Sequence, residues 1–104
     1  MIARHWKGIV KRDDADRYLT HLEHHTIAPV SSIDGFRRVT VLRREVEQGV
    51  EFLVVTEWDS IEAIKKFAGE SAEAAVVPLT AQAMMVSYDT EAVHYEIVED
   101  MQGR

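Results

Sequence analysis

The chain has 104 residues, enough for one ordinary domain, and its 46% apolar and 29% charged residues mark a folded rather than a disordered chain. It contains no cysteine, which excludes disulfides, thiolate nucleophiles, Cys-type zinc sites and iron–sulfur clusters, and its formal net charge is −6. Its longest apolar runs, at 52–55 and 74–77, are four residues each, far short of the roughly 20 a membrane span needs, and residues 1–7 show no apolar signal-peptide core, so a cytoplasmic protein is expected.

Residues 2–11, with Ile2, Trp6, Ile9 and Val10 among basic side chains, read as a strand. Asp13, Asp14 and Asp16 then supply the acidic first turn that suits the positive end of a helix dipole. Ala15, Tyr18, Leu19, Leu22 and Thr26 fall on one face of that first helix, and Pro29 sets its expected limit. Gly35 opens a hairpin of two β-branched, aromatic-rich strands, 36–46 and 50–58, joined across Gln48-Gly49. The second of these is apolar on both parities in its middle, the pattern of a strand covered on both faces.

A second helix follows, capped by Asp59 or Ser60, with Glu62 placed to close a capping box with Asp59 and Gly69 to stop it. Ile61, Ile64, Phe67 and Ala68 form its core face. Residues 72–77 suggest a short helix ending at Pro78, and after an irregular stretch residues 92–98 alternate as a last strand. The order β-α-β-β-α-β predicts an α+β, ferredoxin-like fold over residues 1–104, a single domain. Its four-stranded antiparallel sheet carries both helices on one face. The other face is bare, and the doubly apolar third strand predicts that a second copy covers it, giving a homodimer packed sheet against sheet.

Several functions are excluded. The glycines at 8, 35, 49, 69 and 103 draw neither a dinucleotide fingerprint nor a phosphate loop, and no GxSxG nucleophile elbow exists. Residues 1–52 sum to +1 and residues 53–104 to −7, so no basic footprint for nucleic acid forms. The pairs Arg37-Arg38 and Arg43-Arg44 lie on a strand and point to opposite faces. RNA-recognition domains share this topology, but residues 50–58 lack their aromatic pattern.

Five histidines stand out. His21 and His25 have the i, i+4 spacing of two metal ligands on a helix. By helical geometry His25 borders the interior at roughly 75–80° from the core direction, while His21 lies at roughly 115–120° and His24 nearly opposite. With no HExxH and no third ligand, these read as surface histidines with one boundary residue, and no metal is expected. His94 lies mid-strand on a face that must be covered, so it is either a satisfied buried histidine or an acid/base with a movable pKa. Arg4 and Trp6 share a parity on the first strand. They either pack plainly or grip a flat, anionic or phenolic molecule by charge and stacking.

The stretches Ile2-Ala-Arg-His-Trp-Lys-Gly8, Leu42-Arg-Arg44, Val50-Glu-Phe52, Ala75-Val-Val-Pro78 and His94-Tyr-Glu96 accompany a more specific one, Trp58-Asp-Ser-Ile-Glu-Ala-Ile-Lys-Lys-Phe-Ala-Gly69. In these the chain resembles the antibiotic biosynthesis monooxygenase (ABM) family of the dimeric α/β-barrel superfamily. The resemblance implies a small homodimer whose sheets pack into a barrel. Some members of that family oxygenate aromatic polyketides with molecular oxygen and no flavin, haem or metal, while others degrade haem. The haem-degrading pattern asks for a tryptophan in the second helix, an axial histidine ten residues later and an asparagine on the first strand. The helix positions fall on Phe67 and Val77 here, and the chain contains no asparagine. Haem degradation is therefore not expected, and no cofactor is.

Carried over to this chain, cofactor-free oxygenation assigns His94 as general base and Arg4 as stabiliser of the developing oxyanion. Trp6, Trp58 and Phe67 would wall a slot for flat rings, with His25 at its border. The expected activity is a cofactor-independent monooxygenase acting on a flat phenolic or polyketide-like molecule. The alternative is a non-catalytic, dimeric ligand-binding or stress-related module, with a cofactor-free isomerase or cyclase a third possibility. A small-molecule substrate and a second copy of the chain are the partners expected, with no nucleic acid and no membrane. A slot filled by its own side chains would favour the module.

Overall fold

The computed structural model describes residues 1–103. Strand β1 (Ile2–Val10) is the centre of one antiparallel sheet. It pairs along its whole length with β3 (Gly49–Trp58), from Ile2 opposite Trp58 to Val10 opposite Val50. Beyond β3 lies β2 (Phe36–Val46), joined to it by a two-residue turn that brings Val46 opposite Gly49. Gly49 has φ +156°, and a Cβ there would stand 2.2 Å from the Val10 carbonyl oxygen, so the turn tolerates only glycine.

The fourth strand position is divided. β4 (Met85–Tyr88) pairs with the end of β1 and β5 (Val93–Glu96) with its beginning, where Arg4 faces His94. The sheet thus has five strands rather than four, in ferredoxin-like order. The predicted last strand is shorter than expected, and the irregular stretch before it contains β4.

Helix α1 (Ala15–Leu22) buries Ala15, Tyr18 and Leu22 against the sheet. The chain does not leave the helix before Pro29. A π turn over Glu23–Ile27, in which the Ala28 N–H bonds to the Glu23 carbonyl, leads into α2 (Ala28–Val30). Pro29 then stands in the first positions of a new helical turn, where a missing N–H costs little.

Helix α3 (Ile61–Ala68) starts at Ser60, whose hydroxyl accepts from the Ala63 N–H at 3.2 Å. The box with Asp59 does not form, because Asp59 pairs with Arg37 instead. Gly69, at φ +89°, ends the helix as expected.

The helix predicted over residues 72–77 is absent. The segment begins with a turn closed by Ala74 N–H to Ser71 O at 3.0 Å, Ala74 bridges to Glu91, and its other backbone groups are engaged elsewhere. Ala75 N–H bonds to Thr90 O at 3.0 Å, Ala92 N–H to Glu73 O at 2.7 Å, and Arg4 takes the carbonyls of Ala72 and Ala74. Pro78 begins a helix instead of ending one, preceding α4 (Leu79–Gln82).

Strand alternation places Val50, Phe52, Val54, Thr56 and Trp58 under the helices, all buried. Two apolar clusters result. One is built around Val10, Tyr18, Leu22 and Phe52, the other around Val30, Trp58, Ala63 and Ile64. The opposite sheet face carries no helix. There the Leu42–Leu53 and Thr40–Val55 pairs sit between two ion pairs, Arg38–Glu57 at 3.5 Å and Arg44–Glu51 at 2.9 Å. Val93 and Tyr95 extend this face, with the Tyr95 ring edge-on to His5 at 5.0 Å. Among the described residues no helix is long and apolar enough to cross a membrane.

Candidate functional site

A narrow cleft opens between the helix-bearing face of the sheet and the helices, at the seam of the two clusters. Arg4, Trp6, Val54 and Thr56 form its sheet wall. Tyr18, His21, Leu22 and Thr26 come from α1 and the π turn, and Phe67 from α3. Val76, Val77, Pro78 and Ala81 close the remaining side. The cavity measures about 50 Å³, room for a few waters.

Arg4 is the charged group of the cleft and is only 4% exposed. Nη1 donates to Ala72 O, and Nη2 donates to Ala74 O at 2.7 Å. Its guanidinium also lies over the Phe67 ring, with Cζ 5.7 Å from the centroid. Burial pulls its pKa down while the Glu73 carboxylate pulls it back up. A guanidinium under those opposing influences remains a cation at neutral pH.

His94 is the cross-strand neighbour of Arg4, and its Nε2 lies 2.9 Å from Arg4 Nη1. A guanidinium can only donate, so Nε2 accepts and the proton of the neutral ring sits on Nδ1. Burial first, and then the Arg4 charge, hold His94 below the ordinary histidine range, with Glu73 opposing. His94 therefore shares the sheet face of Arg4 and Trp6. It stands behind the guanidinium, however, and does not line the cleft.

The indole of Trp6 folds along its strand over Gly8, where a Cβ would come within 2.7 Å of the ring. Its Nε1 donates to Asp89 O at 2.8 Å, in the loop that separates β4 from β5. The ring is thus fixed as a cleft wall.

The other expected residues divide. Phe67 is on the cleft wall, whereas Trp58 is fully buried behind it, stacked at 6.0 Å and donating to Thr56 Oγ1 at 2.8 Å. His25 is exposed and does not reach the cleft, whereas His21 is half-buried and does. The π turn explains why His25 stays outside. It advances each residue by less than an α-helical step, so His25 comes to lie over His21, ring stacked on ring at 4.4 Å, instead of rotating toward the interior. Periodicity at a fixed 100° could not foresee that. Tyr18, which the helical period puts on the core face, also forms part of the cleft wall, and residues 76–78 form another part that no local sequence signal marks. Burial pushes the Tyr18 phenol's pKa well up, so it stays protonated and able to donate.

A family model, antibiotic biosynthesis monooxygenase, matches residues 1–77. The chain belongs to the antibiotic biosynthesis monooxygenase family. The matched stretch ends just before Pro78, so α4, β4 and β5, with His94, lie beyond it. None of the curated proteins matches.

Solved structures share the ABM fold at low identity. A Bacillus cereus protein described as an antibiotic biosynthesis monooxygenase is 18% identical, with 98% of this chain and 97% of that one covered at a TM-score of 0.68. The haem-degrading protein MhuD of Mycobacterium tuberculosis, with two haems in its active site, is 22% identical, with 98% and 100% covered at a TM-score of 0.67. The monooxygenase ActVA-Orf6 of Streptomyces coelicolor, in complex with nanaomycin D, is 12% identical, with 99% and 92% covered at 0.64.

Where the haem-degrading pattern asks for an axial histidine the cleft presents Val77, which has no donor atom for iron. The imidazole on the wall, His21, has Nε2 within 2.8 Å of Thr80 Oγ1.

Proposed function

We propose that this ABM-family chain is a cofactor-independent monooxygenase acting on a flat phenolic or polyketide-like molecule. The observation that carries the reading is a buried guanidinium, Arg4, set in a largely apolar cleft walled by Trp6 and Phe67. Trp6 and Phe67 offer faces for a flat ring. Arg4 favours the phenolate over the phenol, and the phenolate is the form that can pass an electron to dioxygen. The reaction balances without an outside reductant: a phenol C–H and its O–H become a quinone, dioxygen supplies the new carbonyl oxygen, and its second atom leaves as water. His94 serves as a positioning residue, since its neutral ring accepts from Nη1 and fixes one edge of the fork.

One observation favours the second reading, a non-catalytic ligand-binding module. The cavity of about 50 Å³ is narrow, most of the space between its walls being taken by its own lining side chains. Gln82 holds the 76–78 wall in place through its Nε2 bond to Val77 O at 2.8 Å. Oxygen consumption with a dihydroxynaphthalene separates the two readings. Turnover with one dioxygen consumed per quinone formed supports the enzyme. Saturable quenching of Trp6 fluorescence with no oxygen uptake supports the module.

The homodimer belongs to the same proposal. Among the described residues no helix covers the sheet face on which Leu42, Leu53 and Val55 form an apolar patch between two ion pairs and Val93 and Tyr95 lie beyond His5. A second copy laid sheet to sheet would bury it. Light scattering at micromolar concentration should give twice the 11.9 kDa chain mass; a mass near that of one chain rejects the dimer.

A further inference from the structure

We propose that the imidazole of His21 is the proton acceptor of the cleft, and that Thr80 holds it in place for that role. This rests on the reading of the cleft as a phenol-binding site. A base for a bound phenol has to line the cleft, hold a free lone pair and be able to pass the proton on to water. His94 meets none of these fully, because it stands behind Arg4 and its Nε2 lone pair is taken by Nη1.

His21 meets all three. It lines the cleft with Tyr18 and Leu22 on one side, and on the other it lines an open surface groove with His24 and His25. It is thus the residue common to the interior and the outer groove. Its Nε2 and the Thr80 hydroxyl oxygen are 2.8 Å apart, tying α1 to α4 across the groove. With Nε2–H donating to Thr80, the lone pair of Nδ1 is free, and the same bond persists in the imidazolium, which it stabilises.

The step is a proton transfer alone. The substrate O–H bond breaks, its electron pair stays on oxygen as phenolate beside Arg4, and the proton adds to Nδ1 of His21. Solvent in the outer groove then takes it.

The charges around His21 keep it neutral at rest. On its own helical run it faces Arg17, His24 and His25, with Asp16 a turn earlier. Across the cleft lies Arg4, beside it the protonated Tyr18, and α4 brings the neutral Thr80. Burial and the stacked His25 both lower its pKa. Activity governed by this group therefore rises with pH through a value below the ordinary 6.5 of histidine and levels off above it.

The test uses the intact wild-type protein and 4-nitrophenol, whose anion alone absorbs in the visible. At pH 6, binding should produce the phenolate band while ¹⁵N imidazole NMR shows His21 passing from neutral to imidazolium and His94 staying neutral. His21→Gln should lose at least tenfold of the bound phenolate-to-phenol ratio while Trp6 fluorescence still reports binding. The proposal is overturned by a His21 signal that stays neutral while phenolate forms, by protonation of His94 instead, or by a wild-type cleft that binds no phenol. Failure of the enzyme reading shows separately, as phenolate formation and His21 protonation without any oxygen uptake from a dihydroxynaphthalene.

Discussion

Replacing Arg4 by leucine is expected to lower stability by about 3 kcal/mol or more and to release residues 72–78 from the sheet. Each hydrogen bond from a charged group contributes about 1.5–3 kcal/mol, and Arg4 makes three such bonds, two of them to Ala72 O and Ala74 O and the third to His94 Nε2. The leucine fills part of the space but donates nothing, so both carbonyls lose their partner. The Phe67 ring loses the cation above it, and His94 Nε2 loses its donor. Urea unfolding followed by circular dichroism measures the stability change, and hydrogen exchange at Ala75 and Ala92 measures the release of the segment. Arg4→Lys should recover the charge without the two-pronged grip and so recover only part of the stability. An unchanged unfolding midpoint in the leucine variant would show that the segment holds itself in place.

Trp58→Ala is expected to cost about 3–5 kcal/mol, the range for truncating a fully buried large aromatic. Trp58 is 0% exposed, stacks on Phe67 and meets Phe36 edge-on at 5.3 Å. Its removal leaves a cavity behind the cleft and takes the support from the ring that forms one wall. Trp58→Phe should cost less, because it keeps a ring against Phe67 and loses chiefly the bond to Thr56 Oγ1. Thermal unfolding of the two variants checks the order. Phenol binding by Trp58→Phe tests whether support of Phe67 matters to the cleft. A midpoint for Trp58→Ala within a degree or two of wild type would contradict the packing described.

What the sequence by itself determined is the part governed by local period and by short-range turn chemistry. The tight hairpin turn near Gly49, the alternation of Phe52, Val54, Thr56 and Trp58, a cap at Asp59 or Ser60 and the Gly69 stop each depend on residues within a few positions of one another, although the turn itself is Glu47-Gln48 and the cap is Ser60. So does the shared parity of Arg4 and Trp6, which places them on one sheet face whatever the rest of the chain does. The β-α-β-β-α-β order follows from these elements, and the fold class from that order.

Only the tertiary structure decided the rest. Residues 72–77 have helical character, yet Arg4, 68 positions away from Ala72, claims the carbonyls of Ala72 and Ala74 and keeps the segment out of a helix. The register of β5 on β1 sets His94 against Arg4 and keeps it behind the cleft. The π turn over Glu23–Ile27 leaves His25 outside the cleft, which His21, in the regular helix before it, lines instead. In each case the deciding partner lies across the sheet or in a helical step that departs from the regular one. Period and spacing record how a residue relates to its neighbours along the chain, and these outcomes were set by hydrogen bonds and packing between segments that meet only after the chain has folded.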